Sequence, residues 1–244
     1  MAYTDIDKPS DYFETVLWSS VDTSIDTLDF QPDWVWIKSR TNADTQVLFD
    51  SVRGAGERLS SSSDGAESTK TDELTAFNSD GFTLGTGSNV NRASNNNVAW
   101  NWKAGTSVSG NTTGSGTAKT YTGSVNTTSG FSIISFTGNG TSGHTIPHNL
   151  GVAPAMVILK RYDSSNNWRV GHNGLTSWEY RLTLEATEAQ ASQSAVFNST
   201  APTSSVVTLG NSGSANGNGA IYIMYSFAEK QGYSKFGSYT GNGN

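Results

Sequence analysis

Four groups of residues in this 244-residue chain have types and spacings that could do chemistry: a glycine-rich run, three histidines, scattered carboxylates and seven tryptophans. Gly138-Asn-Gly-Thr-Ser-Gly143 matches the dinucleotide pattern G-x-G-x-x-G. That pattern serves pyrophosphate only when a helix N-terminus follows, and Thr145-Ile-Pro147 cannot open one here, so a turn between strands is expected. His144 and His148 stand four apart, a spacing that presents two imidazoles on one helix face, but Pro147 lies between them and no cysteine completes a ligand set. His148 is instead expected to order the turn Pro147-His-Asn-Leu-Gly151, with no metal and no cofactor bound. Polysaccharide hydrolysis needs a carboxylate pair at defined separation. Asp33, Asp50 and Glu57 are the acids to consider, and they read as surface carboxylates. No nucleophile elbow or metalloprotease helix motif is present, so no catalytic residue is assigned and the chain reads as a non-enzyme.

Aromatic rings offer a different chemistry, because an indole face stacks on the apolar face of a sugar ring. Trp18, Trp168 and Trp178 lie near expected loops and are the candidate glycan or partner contacts. Trp34 and Trp36, in Phe30-Gln-Pro-Asp-Trp-Val-Trp-Ile-Lys38, alternate with Val35 and Ile37. Both faces of that strand are apolar, as in a strand covered on two sides, so these two indoles are assigned to the core.

The elements that must position these groups come in two copies. From Pro32 and Pro154 the halves run in step: a lysine follows six residues later in each, Lys38 and Lys160, and Arg58 and Arg181 fall 26 and 27 residues on. Phe77-Asn-Ser79 recurs as Phe197-Asn-Ser199, Leu84-Gly85 as Leu209-Gly210, and Val98-Ala-Trp-Asn-Trp102 as Ile223-Met-Tyr-Ser-Phe227. Leading strands Tyr12–Trp18 and Gly130–Phe136 precede each copy. The second copy replaces Asp33, Asp50 and Glu57 by Ala155, His172 and Tyr180, so no catalytic pair is duplicated. The recurring Lys38/Lys160 and Arg58/Arg181 suggest strand ends braced against carbonyls or acids.

Short apolar runs separated by Gly, Ser, Thr and Asn predict an all-β chain. We read two tandem antiparallel β-sandwich, jelly-roll-like domains related by internal duplication, with long loops and at most one short helix. Residues 1–104 form the first repeat with its N-terminal arm, and 105–117 (GTSVSGNTTGSGT) a flexible linker. Residues 118–232 form the second repeat. Residues 233–244 form a strand that echoes Ile134–Gly140 and so resembles the start of a further repeat. Leu184–Val196 is the one helix candidate, and Ser60–Leu74 reads as a long loop with at most one helical turn.

A net charge of −6 with no basic cluster argues against nucleic acid and anionic membrane partners. No run reaches the ~18 apolar residues of a membrane span, and no secretory signal is visible at the start. Without cysteine there are no disulfides or thiolate sites.

The ordered set Phe30–Lys38, Leu48-Phe-Asp-Ser-Val-Arg-Gly54, Asp80-Gly-Phe-Thr-Leu-Gly85, Val98-Ala-Trp-Asn-Trp-Lys-Ala-Gly105, Phe136-Thr-Gly-Asn-Gly140 and Tyr225-Ser-Phe-Ala-Glu229 resembles a family of repeated domains in virion structural proteins of tailed bacteriophages, particularly marine ones, often labelled tail fibre proteins. The resemblance implies a virion component, a tail fibre, appendage or head decoration, assembled in the host cytoplasm beside other virion proteins. It also implies a homo-oligomer, taken as a trimer, that serves adsorption to the host surface. A carbohydrate-binding module for host surface glycan is the alternative, and a polysaccharide-cleaving enzyme comes last. One departure stands out: after Trp18 the usual Thr-Gly-Asn-Gly turn is replaced by Ser19-Ser-Val-Asp22.

Overall fold

A computed structural model describes residues 4–19 and 24–243; most of the departing turn after Trp18 therefore lies outside the described residues. The first half contains β1 (Phe13–Ser19), β2 (Ser24–Ile25), β3 (Trp34–Ser39), β4 (Val47–Asp50), β5 (Glu57–Ser60), β6 (Ser68–Thr69), β7 (Leu74–Asn78), β8 (Gly81–Leu84), the single helical turn α1 (Ser88–Asn91) and β9 (Asn96–Trp102). The second contains β10 (Thr106–Asn111), β11 (Thr113–Gly114), β12 (Thr120–Asn126), β13 (Phe131–Thr137), β14 (His144–Pro147), β15 (Met156–Arg161), β16 (Arg169–His172), β17 (Tyr180–Thr183), β18 (Ala191–Ser192), α2 (Ser194–Phe197), β19 (Val206–Leu209) and β20 (Ile221–Phe227).

All strand pairings are antiparallel, and the chain is an all-β sandwich protein. A six-stranded sheet, β1-β9-β3-β4-β5-β6, faces a three-stranded sheet, β2-β8-β7; an eight-stranded sheet, β10-β12-β13-β20-β15-β16-β17-β18, faces β11-β14-β19. The duplication is carried into register. Phe13 and Trp34 flank Trp102 just as Phe131 and Met156 flank Phe227. Each proline stands where no ladder donor is needed, and the next residue starts the pairing: Asp33 N–H donates to the Trp102 carbonyl at 2.8 Å and Ala155 N–H to that of Phe227 at 2.7 Å. Strand order matches position for position from β1 through β6 against β13 through β18, and the second half adds β12 and β10 outside β13.

Alternation assigns the faces. Val35, Ile37, Val47 and Phe49 face the first small sheet, meeting Ile25, Leu74, Phe82 and Leu84. Val157, Leu159, Phe136 and Met224 face the second, meeting Ile146, Val207 and Leu209. The opposite faces of the two large sheets meet each other through Trp34, Leu48, Leu59, Phe131, Ile133, Ile158, Val170, Ile223, Tyr225 and Phe227. The molecule is therefore four layers deep, with three cores in series.

Four expectations need correction. The run 105–117 is not a linker: its residues alternate well enough to form β10 and β11, strands of the second half's sheets. The two halves are not beads on a string, because their large sheets share a core. Leu184–Val196 is not a helix; its Ala, Glu and Gln propensity loses to sheet pairing at β18, and only the four residues of α2 are helical. Residues 235–243 contain no strand, Phe236 packing against the edge of the shared core instead. Ser60–Leu74 is a loop interrupted by β6, with no helical turn.

That serine-rich loop fastens the halves together. Lys160 Nζ, fully buried, donates to the carbonyls of Asp64, Arg161 and Asn166 at 3.0, 2.7 and 2.8 Å. Asn166 N–H also reaches the Asp64 carbonyl (2.8 Å), and Glu67 N–H the Tyr162 carbonyl (2.9 Å). Burial pushes the Lys160 pKa down to about 8, which still leaves most of the population protonated at neutral pH and supplies all three donors. Lys38, its counterpart, is half-buried on β3. Arg58 meets Glu73 at 2.9 Å and Arg181 meets Glu188.

Candidate binding site

The three tryptophans expected as ring contacts are all buried. Trp18 packs edge-on against Phe82 in the first core (centroids 6.3 Å). Trp168 is sealed between the halves, its Nε1–H shared by the carbonyls of Ser60 (2.8 Å) and Ser63 (3.1 Å). Trp178 lies edge-on to Phe197 and donates to Asn173 Oδ1 at 3.1 Å; it crosses Gly171, where any Cβ would stand 2.3 Å from the indole. None offers a ring face to a ligand. Nearness to a loop in sequence did not mean nearness to solvent, because those loops fold back onto the sheets.

Exposed aromatic surface lies instead on the strand assigned to the core. Trp34 is core, 1% exposed. Trp36 is half-buried with Trp100 and Trp102, all three on the outer-half face of the six-stranded sheet where the eight-stranded sheet stops covering it. Trp36 and Trp100 stand at 6.2 Å and 73°, and Trp102 leans on Phe13 at 4.9 Å. Beside them a cavity of about 260 Å³ opens at the seam, walled chiefly by Phe13, Trp36, Trp102, Met156, Tyr233 and Phe236. Three polar atoms at this cleft, Trp34 Nε1, Trp36 Nε1 and Ser129 Oγ, are buried without a hydrogen-bond partner. The cleft can thus take an apolar ring face against its indoles. One signal was available in the sequence: Trp34, Trp36, Trp100 and Trp102 share one face in the first copy, where the second has Met156, Ile158, Tyr225 and Phe227.

Two of the three acids, Asp33 and Asp50, are not surface groups, because each is buried with a built partner set, while Glu57 is half-buried and its carboxylate accepts from the Thr69 hydroxyl at the surface. Asp33 accepts from Ser51 Oγ (2.6 Å) and Ala104 N–H (2.8 Å), and burial lifts its pKa. Asp50 accepts through Oδ1 from the N–H groups of Val52 and Arg53. Through Oδ2 it accepts from Arg53 Nε (2.6 Å) and Tyr225 Oη (2.7 Å). Arg53 continues to the Glu57 carbonyl and Glu67. Burial alone would lower the Arg53 pKa, but Asp50, Tyr225 and Glu67 outweigh it and hold it above its ordinary value. Burial, then Asp50, raises Tyr225 well above its ordinary range.

The histidines are structural too. His144 Nδ1 faces Asn216 Oδ1 (2.8 Å) and Nε2 faces Thr112 Oγ1 (2.6 Å). Asn216 Oδ1 can only accept, and also does so from Asn139 N–H, so Nδ1 carries the proton; with burial favouring the neutral imidazole, the Thr112 hydroxyl donates to Nε2. His148 Nδ1 accepts from Leu150 N–H, ordering the expected turn, while Nε2–H donates to the Thr203 carbonyl. No cluster able to hold a metal occurs among the described residues.

Burial lowers both histidine pKa values, Lys119 adding to the effect at His144. Below about pH 6.5 the unfolded chain therefore binds protons that the folded chain refuses, and stability falls with pH by up to about 1.4 kcal/mol per unit for each imidazole held neutral. Asp33 and Glu67, whose pKa values are raised chiefly by burial, act with the opposite sign, their contribution being lost as pH rises through the folded-state values. Urea midpoints should accordingly drop between pH 7.5 and 5.5, with a shallower drop in His144→Gln. A flat profile in the wild-type chain would contradict this assignment.

The sheets, the register repeat and the aromatic seam define a duplicated antiparallel double-sandwich protein. Over residues 8–244 the chain matches the family described as "Domain of unknown function (DUF7483)", and it belongs to that family. No curated protein and no solved structure matches it.

Proposed function

We propose that this chain is a non-catalytic structural module of a bacteriophage particle that takes part in adsorption to the host surface. One observation supports the non-catalytic half: the buried acids are spent on structure, Asp33 on fixing the backbone at Ala104 and Asp50 on joining the two halves through Tyr225. The virion half rests on the resemblance of the ordered motifs to tailed-phage structural repeats. Immunogold labelling and cryo-EM of purified particles should place the chain on the virion. Recovery only as free protein in a lysate would overturn the reading.

A second reading, glycan recognition, is favoured by the half-exposed indoles of Trp36, Trp100 and Trp102 beside the apolar cleft. Aromatic–sugar stacking here predicts quenching of tryptophan fluorescence by host-envelope oligosaccharide. Trp100→Ala should weaken that binding by roughly tenfold, equivalent to about 1.4 kcal/mol, while Trp18→Phe leaves it unchanged. Equal binding by Trp100→Ala and the wild type would remove the cleft from the reading.

A further inference from the structure

The duplication leaves one sheet position empty. In the second half β13 is flanked by β20 and β12; in the first, its counterpart β1 pairs with β9 alone and, among the described residues, has no strand on its outer side. Burial records the difference: β13 is nearly all buried, whereas β1 leaves Leu17 59% exposed. An uncovered edge carrying an exposed leucine is a template for another strand.

The strand that fills the equivalent place in the second half is Thr120-Tyr-Thr-Gly123, and its close sequence echo is Ser238-Tyr-Thr-Gly241. Tyr121 is buried in the second core, while Tyr239 is 94% exposed. Gly123 is required by its position, since a Cβ there would stand 2.2 Å from the Ile133 carbonyl oxygen. Gly241 has nothing within 4 Å and no left-handed φ, so nothing among the described residues of one chain demands a glycine there. The segment also echoes Ser135–Gly140, more closely, but that strand position is filled in both sheets, by β1 and β13. In that alignment Gly241 falls on Gly138, where a Cβ would again collide, 2.4 Å from the Gly217 carbonyl oxygen.

We propose that residues 238–243 of a second copy of this chain add antiparallel to the outer edge of β1. Carrying over the β12–β13 register places Tyr239 against Trp18, Thr240 against Leu17 and Gly241 against Val16. A chain cannot do this to itself. Phe236 is anchored on Phe227 and His172, at the Phe13 end of the seam. Tyr239 comes three residues later and reaches at most about 10 Å, whereas Trp18 lies about 17 Å along β1 from Phe13. The contact joins two different surfaces, so copies associate head to tail, into a ring or an open row.

The test is independent of whether the chain belongs to a virion. Analytical ultracentrifugation of the full chain should show association that rises with concentration. Gly241→Val and Tyr239→Ser should abolish it while leaving the melting temperature unchanged, and Gly237→Ala, also in open space, should leave it intact. Because the chain has no cysteine, Leu17→Cys with Thr240→Cys should form intermolecular disulfides on oxidation. A monomer at every concentration, association indifferent to Gly241→Val, or a disulfide formed only within one chain would each overturn the proposal.

Discussion

Asp50→Ala is expected to destabilise the chain by about 3–5 kcal/mol, the range for removing one partner of a buried ion pair. The Asp50 and Arg53 side chains are both essentially inaccessible. Removing the carboxylate leaves the buried guanidinium only Glu67 and the Glu57 carbonyl, takes the acceptor from the Tyr225 hydroxyl and frees two backbone N–H groups at the end of β4. Arg53 Nη2 already lacks a partner, so little spare capacity remains to absorb the loss. Tyr225→Phe gives the calibrating contrast. It removes one hydrogen bond and keeps the ring stacked on Trp34, and should cost only about 1–2 kcal/mol. Chemical denaturation of the two variants separates the cases: equal, small losses would mean that the buried pair is not organised around Asp50.

The second large effect is expected at Trp34. Its ring stacks on Tyr225 at 4.5 Å and 20°, meets Trp102 at 4.5 Å, and lies 5.9 Å from both Phe131 and Phe227. Trp34 and Trp102 belong to the first copy of the repeat, and Tyr225, Phe131 and Phe227 to the second. Trp34→Ala opens a cavity that stiff strands on both sides cannot close, at a cost of about 3–5 kcal/mol. Trp36→Ala, at the open cleft, should cost about 1 kcal/mol, the centre of the distribution for single substitutions. Because the seam is shared, the wild-type chain should unfold in one calorimetric transition, and Trp34→Ala should lower that single transition as a whole. Two separable transitions, with the second half's melting temperature unmoved by Trp34→Ala, would show that the halves fold independently after all.

Much of this architecture was legible in the sequence because it depends on short-range periodicity. Val35 and Ile37 alternate with Trp34 and Trp36, and the two faces became two different cores. Pro32 and Pro154 marked strand entries, and the step from each to its lysine placed β3 and β15 in equivalent register. The His148 turn was legible for the same reason: its partner Leu150 is two residues away.

The site was not legible, because exposure is decided by what lies across from a residue, and that is a non-local fact. Trp168 was read as a loop aromatic, and the loop covering it comes from Ser60 and Ser63, more than a hundred residues earlier. Asp50 was read as a surface acid, and the hydroxyl that completes its burial is on Tyr225. A serine-rich loop and a Gly/Ser/Thr run looked like slack, yet one carries the carbonyl that holds Lys160 and the other supplies two strands.

The sequence by itself determined that the chain is all β, that it is one unit written twice, and which residues point to which face of each strand. Backbone sterics and the period of two fix those properties within a few residues. Only the tertiary structure decided that the two units press their large sheets together. It also decided that Trp34 is sealed while Trp36 stays open, and that β1 is left bare where β13 is covered. The physical reason is that apolar faces are interchangeable in sequence. Which one finds a partner depends on sheet width and offset, and these appear only when all the strands are in place.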